Sequence, residues 1–441
     1  MFWVATAIFV VAYAVIVSEK VHKTKVALVG AALTLIAKVL TQHDALHDVD
    51  LGVDWNVIFL LISMMLIVNI MTKTGVFQYV AIKAAKLGKG NPFTIMAIFA
   101  VVTAVGSAFL DNVTTVLLLA PVTLLIATEL EIDPVPYLIT EALASNIGGT
   151  ATLIGDPPNI MIASKAGFDF MDFIVHLSPA IIVIMGVWML VWKVVFGKRL
   201  HVREELKARV MAMNENELIK DPVLLKKSGI ILGLTILGFV LHGFFHYEPA
   251  TVALMGASLL LLVSGEEPHH ALAEVEWPTI FFFIGLFIII GGTVKVGLIE
   301  LLSQKMIDLT RPTGGDMFLL SMVMVWFSAI ASAIVDNIPF VATMNPLLIS
   351  MSGKVFGATD VATLQNPVML PVWWALALGA CLGGNGTAIG ASANVIVVGI
   401  SEKAGHKISF ARFLKYGTPV MLLTVLLSMV YIWIRYYVLH I

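Results

Sequence analysis

Two stretches of the same unusual design decide what this chain can fold into. Asn146-Ile-Gly-Gly-Thr-Ala-Thr-Leu-Ile-Gly-Asp-Pro-Pro-Asn159 lies between two apolar runs, each too short to cross a bilayer alone. Cys381-Leu-Gly-Gly-Asn-Gly-Thr-Ala-Ile-Gly-Ala-Ser-Ala-Asn394 aligns with it without a gap. Gly148 pairs with Gly383, Gly149 with Gly384, Thr152 with Thr387, Gly155 with Gly390 and Asn159 with Asn394. Each reads as a helix that enters a membrane, breaks over glycines and resumes. Irregular backbone at membrane depth is tolerated only where protein or a wet cavity satisfies its polar groups. Two such breaks at matching places in two halves point to the binding site of a transporter.

Composition supports a membrane setting. Of 441 residues, 59% are hydrophobic and 13% charged, against about 25% charged in a soluble protein. Apolar runs of spanning length recur along the chain. The net charge of −2 predicts no nucleic-acid partner. The one cysteine, Cys381, excludes an intrachain disulfide and reads as a small packing residue. The run Phe2–Ser18 lacks a basic start and a small-residue cleavage site, so it reads as a retained span.

The expected fold is an all-α polytopic membrane protein built of two inverted-topology repeats. Each has five transmembrane helices, one of them broken, and one re-entrant hairpin. Residues 1–197 form the first repeat, 198–227 a cytoplasmic linker and 228–441 the second repeat. The expected elements of the first are Phe2–Ser18, Val26–Leu40, Trp55–Thr72, Val76–Leu87, Pro92–Leu110, Val113–Glu129, the broken Val135–Ala163 and Pro179–Phe196. Those of the second are Gly229–His246, Pro249–Val263, Trp277–Thr293, Leu298–Leu309, Met317–Val335, Ile338–Met351, the broken Val372–Ser401 and Pro419–Ile434. Trp55/Trp277, Asp111/Asp336, Pro121/Pro346 and Phe173/Phe413 anchor the pairing. Positive loops stay cytoplasmic. With the basic segment Lys198–Lys227 inside and Asp-Asn at each hairpin tip, both termini fall outside and most basic residues inside.

Asp111 and Asp336 sit at these tips among apolar flanks. An ionisable group at membrane depth costs at least about 2.5–3.5 kcal/mol and usually marks a pathway; Asp-Asn is also a good helix cap and turn. Asn112, Asn337, Thr114 and Thr115 add hard oxygen ligands or donors. Gly148-Gly149-Thr150 and Gly383-Gly384-Asn385 would bare backbone at the breaks. A resuming half-helix offers N–H groups to an anion, and a stopping one offers carbonyls to a cation. Asp156 belongs to the first repeat alone, Ala391 replacing it in the second, with Ser392 opposite Pro157. It is a cation or proton ligand or a helix cap. Glu141, two turns before the first break, is a candidate proton carrier. Lys38 and Lys295 read as snorkelling span ends, and Glu266–His270 as a solvated loop. No P-loop, nucleophile elbow or zinc spacing occurs in the sequence. Hence no cofactor is expected, no enzyme, and no metal beyond a transported sodium at Asp111/Asp336.

At Phe109–Thr115, Gly148–Asn159, Asp336–Phe340 and Leu382–Asn394 the chain resembles the ion transporter superfamily. The likeness is to its arsenite-permease/sodium–proton-antiporter branch, with a citrate-transporter-like domain, and within it to the melanocyte P protein and prokaryotic relatives. The resemblance implies an inverted-repeat fold with two hairpins and two broken helices around a central site, usually in a homodimer. Related dicarboxylate carriers place Ser-Asn-Thr where this chain has Asp-Asn, and the added charge opposes a dianion such as citrate or succinate. The reading is a secondary active transporter of a small inorganic ion or an oxyanion-type solute, such as arsenite or silicic acid. It is coupled to a proton or sodium gradient in the lipid bilayer of the plasma (inner) membrane. Sodium–proton antiport is the alternative. Asp111, Asp336, Asp156 or Glu141 would take the coupling ion. Backbone amides with Asn112, Asn337, Asn159, Asn394, Thr152 and Thr387 would hold the solute.

Overall fold

The fold comes from a computed structural model that describes residues 1–18, 20–197, 202–313 and 316–441. Residues 198–201, which open the expected linker, lie outside the described residues. The first half contains α1 (Phe2–Ser18), α2 (Lys23–Ile36), α3 (Gln42–His47), α4 (Trp55–Thr72), α5 (Val76–Leu87), α6 (Pro92–Phe109) and α7 (Asn112–Glu129). It continues with α8 (Val135–Gly149), α9 (Pro157–Ala166), α10 (Phe170–His176) and α11 (Ser178–Phe196). After α12 (Glu204–Ala212) come α13 (Pro222–Phe245), α14 (Pro249–Ser264), α15 (Pro268–Ala273), α16 (Trp277–Lys295) and α17 (Leu298–Thr310). The chain ends with α18 (Phe318–Ile334), α19 (Asn337–Phe356), α20 (Val361–Leu364), α21 (Leu370–Gly383), α22 (Ser392–Lys403) and α23 (Phe410–Ile432). Seven of the described helices are long and apolar enough to cross a membrane.

The helix ends explain where expectation and structure part. α2 starts at Lys23, because His22 accepts from the Thr24 N–H; this draws Lys23 into the helix. α13 starts at Pro222, capped by Asp221 on the Leu224 N–H, and α23 at Phe410, capped by Ser409 on the Arg412 N–H. Polar caps outside the apolar run set these starts, so hydropathy alone places them late. The Glu266–His270 segment is not a plain solvated loop. Glu266 pairs with Lys73 at 2.8 Å, and the two histidines ride on α15. Lys295, at the end of α16, pairs with Asp44 and holds that carboxyl down at about 2.

The two broken helices form the centre. Every residue of α8 except Pro136 is buried, as is α21 from Pro371 to Gly383. α8 packs along α6 and α21 along α18, and glycine permits the approach. A Cβ on Gly148 would lie 2.1 Å from the Ala104 carbonyl oxygen, and one on Gly383 2.5 Å from that of Ala329. Small residues let backbones meet this closely where lipid supplies no other drive. Gly148→Ala should therefore cost about 1–3 kcal/mol or more through overpacking. It should lower the melting temperature in detergent, while Gly233→Ala, which meets nothing within 4 Å, leaves it unchanged or raised. Equal melting of the two variants would contradict the close-packing argument.

Candidate functional site

Each hairpin turns at an aspartate. Asp111 caps α7, accepting the Thr114 N–H at 2.8 Å on one oxygen and the Thr114 hydroxyl on the other. Asp336 caps α19 through the Ile338 N–H at 3.1 Å. Its second oxygen accepts from Lys23 Nζ at 2.7 Å and from the Ser392 hydroxyl at 2.9 Å. Lys23 also donates to Ser392 Oγ at 2.8 Å and lies 5.0 Å from the Phe282 ring centre. Both aspartates line one cavity of about 530 Å³, together with Asn112, Asp156, Asn337 and Ser392. Its outer wall comes from α1, α2, α4 and α16, including Glu276.

Asp156 is the meeting point. Asn112 Nδ2 donates to its Oδ1 at 3.2 Å, and Asn337 Nδ2 donates to its Oδ2 at 3.1 Å. Asn112 also donates to Asn146 Oδ1 at 3.3 Å. Asn146 passes the network on, donating to Asn385 Oδ1 at 2.9 Å and Asn394 Oδ1 at 3.1 Å. Side-chain amides joined through the Asp156 carboxylate thus link both tips and both breaks.

The other expected ligands sit behind this layer. Asn159 Nδ2 donates to the carbonyls of Thr152 at 2.8 Å and Thr150 at 3.2 Å. Asn394 Nδ2 does the same for Gly384 at 2.8 Å and Thr387 at 2.9 Å. The Thr152 hydroxyl donates to the Ala108 carbonyl, that of Thr387 to Ala333 at 2.6 Å, that of Thr150 to Asn146 at 2.7 Å and that of Thr115 to Asp111 at 2.9 Å. These groups stitch the interrupted backbone. Gly149 and Gly155 meet backbone to backbone, as do Gly384 and Gly390. α9 opens on Pro157-Pro158, which have no N–H to offer an anion. Glu141 lies away from the cavity, buried, with Thr123 donating to one oxygen and, among the described residues, no partner on the other. Cys381 is buried and donates to Asn159 Oδ1 at 3.6 Å.

Sequence reasoning missed Lys23, Asn146 and Glu276. Lys23 reads as one of several basic loop residues. Asn146 has Cys381 as its counterpart, so no repeat flags it. Glu276 precedes the anchor Trp277 as Asp54 precedes Trp55, and that pairing was the available signal.

An all-helical membrane protein whose hairpin tips and broken helices converge on a polar cavity is a membrane transporter. The chain belongs to the citrate transporter family (CitMHS), whose model matches residues 13–379. It is similar to an uncharacterized transporter of Mycobacterium tuberculosis, at 46% identity over 99% of each chain. It is similar to the P protein of Homo sapiens at 34% identity, over 99% of this chain and 60% of that one. The fold matches the YdaH transporter of Alcanivorax borkumensis with a TM-score of 0.62 at 14% identity, over 98% of each chain.

The Lys23–Asp336 pair is half-buried, with side-chain exposures of 28% and 11%. Removing one partner of a fully buried pair costs about 3–5 kcal/mol, and solvent at the cavity mouth reduces this. Lys23→Met should therefore destabilise by about 1–2 kcal/mol more in the wild-type background than with Asp336→Asn. Thermal unfolding of the four proteins of this cycle measures the coupling; additive effects would show that the pair is not formed.

Proposed function

We propose that the chain is a secondary active transporter of a small inorganic solute, driven by a proton or sodium gradient through alternating access. The observation that carries the reading is the charge of the cavity. Asp111, Asp156, Glu276 and Asp336 line it, against Lys23 as the one permanently charged basic residue among the described residues. A cavity with excess carboxylates attracts a cation or a proton and repels an anion. The family is named for citrate, yet a free tricarboxylate meets this repulsion in full. An uncharged hydroxylated solute of the arsenite or silicic-acid kind does not.

Asp111 takes the coupling ion in this reading, because its hydrogen-bond partners are the Thr114 N–H and hydroxyl and among the described residues no ammonium pairs with it. Asn112, Asn337 and Ser392 face the solute, and the amide network behind them holds the tips in register. Residues 1–197 and 228–441 act as the two inverted repeats in the plasma (inner) membrane, with linker 198–227 cytoplasmic, both termini outside and a homodimer as the working unit. Sodium–proton antiport is the second reading. It is favoured by the same uncompensated Asp111 beside the Thr114 hydroxyl, a hard-oxygen set suited to sodium. Everted vesicles separate the two: sodium-evoked proton release with no added solute supports antiport.

Asp111→Asn should lower flux in proteoliposomes by at least about tenfold, with elution profile and melting temperature retained. Unchanged flux in that variant would remove the cavity carboxylate from the coupling mechanism.

A further inference from the structure

A second hollow, of about 230 Å³, lies near the other end of α16. Thr279 lines the first cavity and Phe287 and Ile290 the second, and on α9 the linings come within one turn, about 6 Å, from Pro157 to Met161. α19 joins them as well: Asn337 at its start lines the first cavity, and Asn345, about 12 Å further along, lines the second.

Asn345 is 2% exposed, and among the described residues neither atom of its amide has a hydrogen-bond partner. Native proteins keep few such groups, and each asks for a reason. The next residue, Pro346, lies inside α19 and has no N–H for the Ala342 carbonyl one turn back. Ala342 lines the same cavity. The wall therefore offers an amide NH₂, an amide oxygen and a carbonyl oxygen without its helical donor. The charged groups nearby are engaged elsewhere. Asp54 accepts from the Ser164 hydroxyl at 2.7 Å, and Lys165 donates to the Val49 carbonyl at 2.8 Å. Asp50 and Thr359, both exposed, mark the mouth. The first repeat has no counterpart, since Ala120 precedes Pro121 where Asn345 precedes Pro346.

The geometry points to a second solute station at Asn345 for a small, uncharged, hydroxylated molecule of the boric- or arsenous-acid kind. A bare cation engages the amide oxygen and leaves the NH₂ unmet. An anion meets two carboxylates, Asp50 and Asp54, against the single ammonium of Lys165. A neutral hydroxylated solute donates to the oxygen and accepts from the NH₂ at once, and the hollow has room for a few heavy atoms at about 30 Å³ per water-sized unit. The role as a station rests on the transport reading above; the binding site does not.

Purified full-length protein in detergent is titrated at neutral pH with boric acid and with arsenous acid, and the melting temperature is read. Asp111→Asn removes the coupling carboxylate of the first cavity, and the added Asn345→Leu separates binding at the second cavity from any left at Asn112, Asn337 and Ser392. In that variant at least one probe should raise the melting temperature, and in D111N/N345L the half-saturating concentration should rise about tenfold or more. Without probe, Asn345→Leu should melt at or above the wild-type temperature, because it removes an unpartnered buried amide. Three results each overturn the site: no probe effect in D111N, which leaves water as the sole occupant; an equal effect in D111N/N345L; or a lower melting temperature for N345L without probe. Loss of the transport reading shows separately, as unchanged D111N flux in proteoliposomes, and leaves the binding result standing.

Discussion

A buried carboxylate governs the arrangement of everything around it. Asp156 is fully enclosed, and an isolated carboxylate in apolar surroundings is not tolerated without donors. The donors come from opposite ends of the chain, Asn112 at the head of α7 and Asn337 at the head of α19. Satisfying one side chain therefore pins both hairpin tips to the first broken helix. Each asparagine follows an aspartate in sequence, so the same contacts bring Asp111 and Asp336 to the wall of one cavity. The hydrogen bonds of Asp156 are thus the reason there is a shared site and not two separate turns.

The two halves use one backbone plan for different chemistry. In both, an asparagine ten residues after the second glycine of the break returns its amide to the carbonyls left bare there. The halves diverge where the helix resumes. Asp-Pro-Pro puts a negative side chain and two missing N–H groups at the start of α9, so the usual attraction of a helix N-terminus for anions is reversed. Ala-Ser-Ala leaves α22 its N–H groups, and Ser392 directs its hydroxyl to Asp336. The site is polarised toward positive charge on the side of the first half.

Much of this was legible in the residues. The spans, the paired Asp-Asn turns and the two interruptions follow from hydropathy, the cost of a membrane carboxylate and the glycine pairs. The identity of the donors was not legible. Thr152, Thr387, Asn159 and Asn394 look like solute ligands because polar groups at membrane depth signal a pathway. A broken helix, however, exposes backbone groups that need partners first, and these side chains are the nearest at hand. The role of the glycines was half legible: the break was foreseen, the contact with Ala104 and Ala329 was not, since only the packing of α6 and α18 creates it. Lys23 and Asn146 escaped notice because repeat symmetry gives them no twin, and their partners lie far off in sequence.

Lys23 makes the symmetry of the two aspartates deceptive. In sequence Asp111 and Asp336 are equivalent caps. In the folded chain Asp336 already holds an ammonium at 2.7 Å, while Asp111 is met by an N–H and a hydroxyl. A cation approaching Asp336 must compete with a tethered one whose local concentration is fixed by α2; at Asp111 it competes with none. Besides its contribution to stability, the half-buried ion pair acts on the field of the cavity. It offsets one carboxylate of the cavity and leaves Asp111, Asp156 and Glu276 without a paired ammonium among the described residues. Because α2 packs along α16 whereas Asp336 heads α19, the same contact makes the occupancy of that carboxylate depend on how the outer wall sits against the second hairpin.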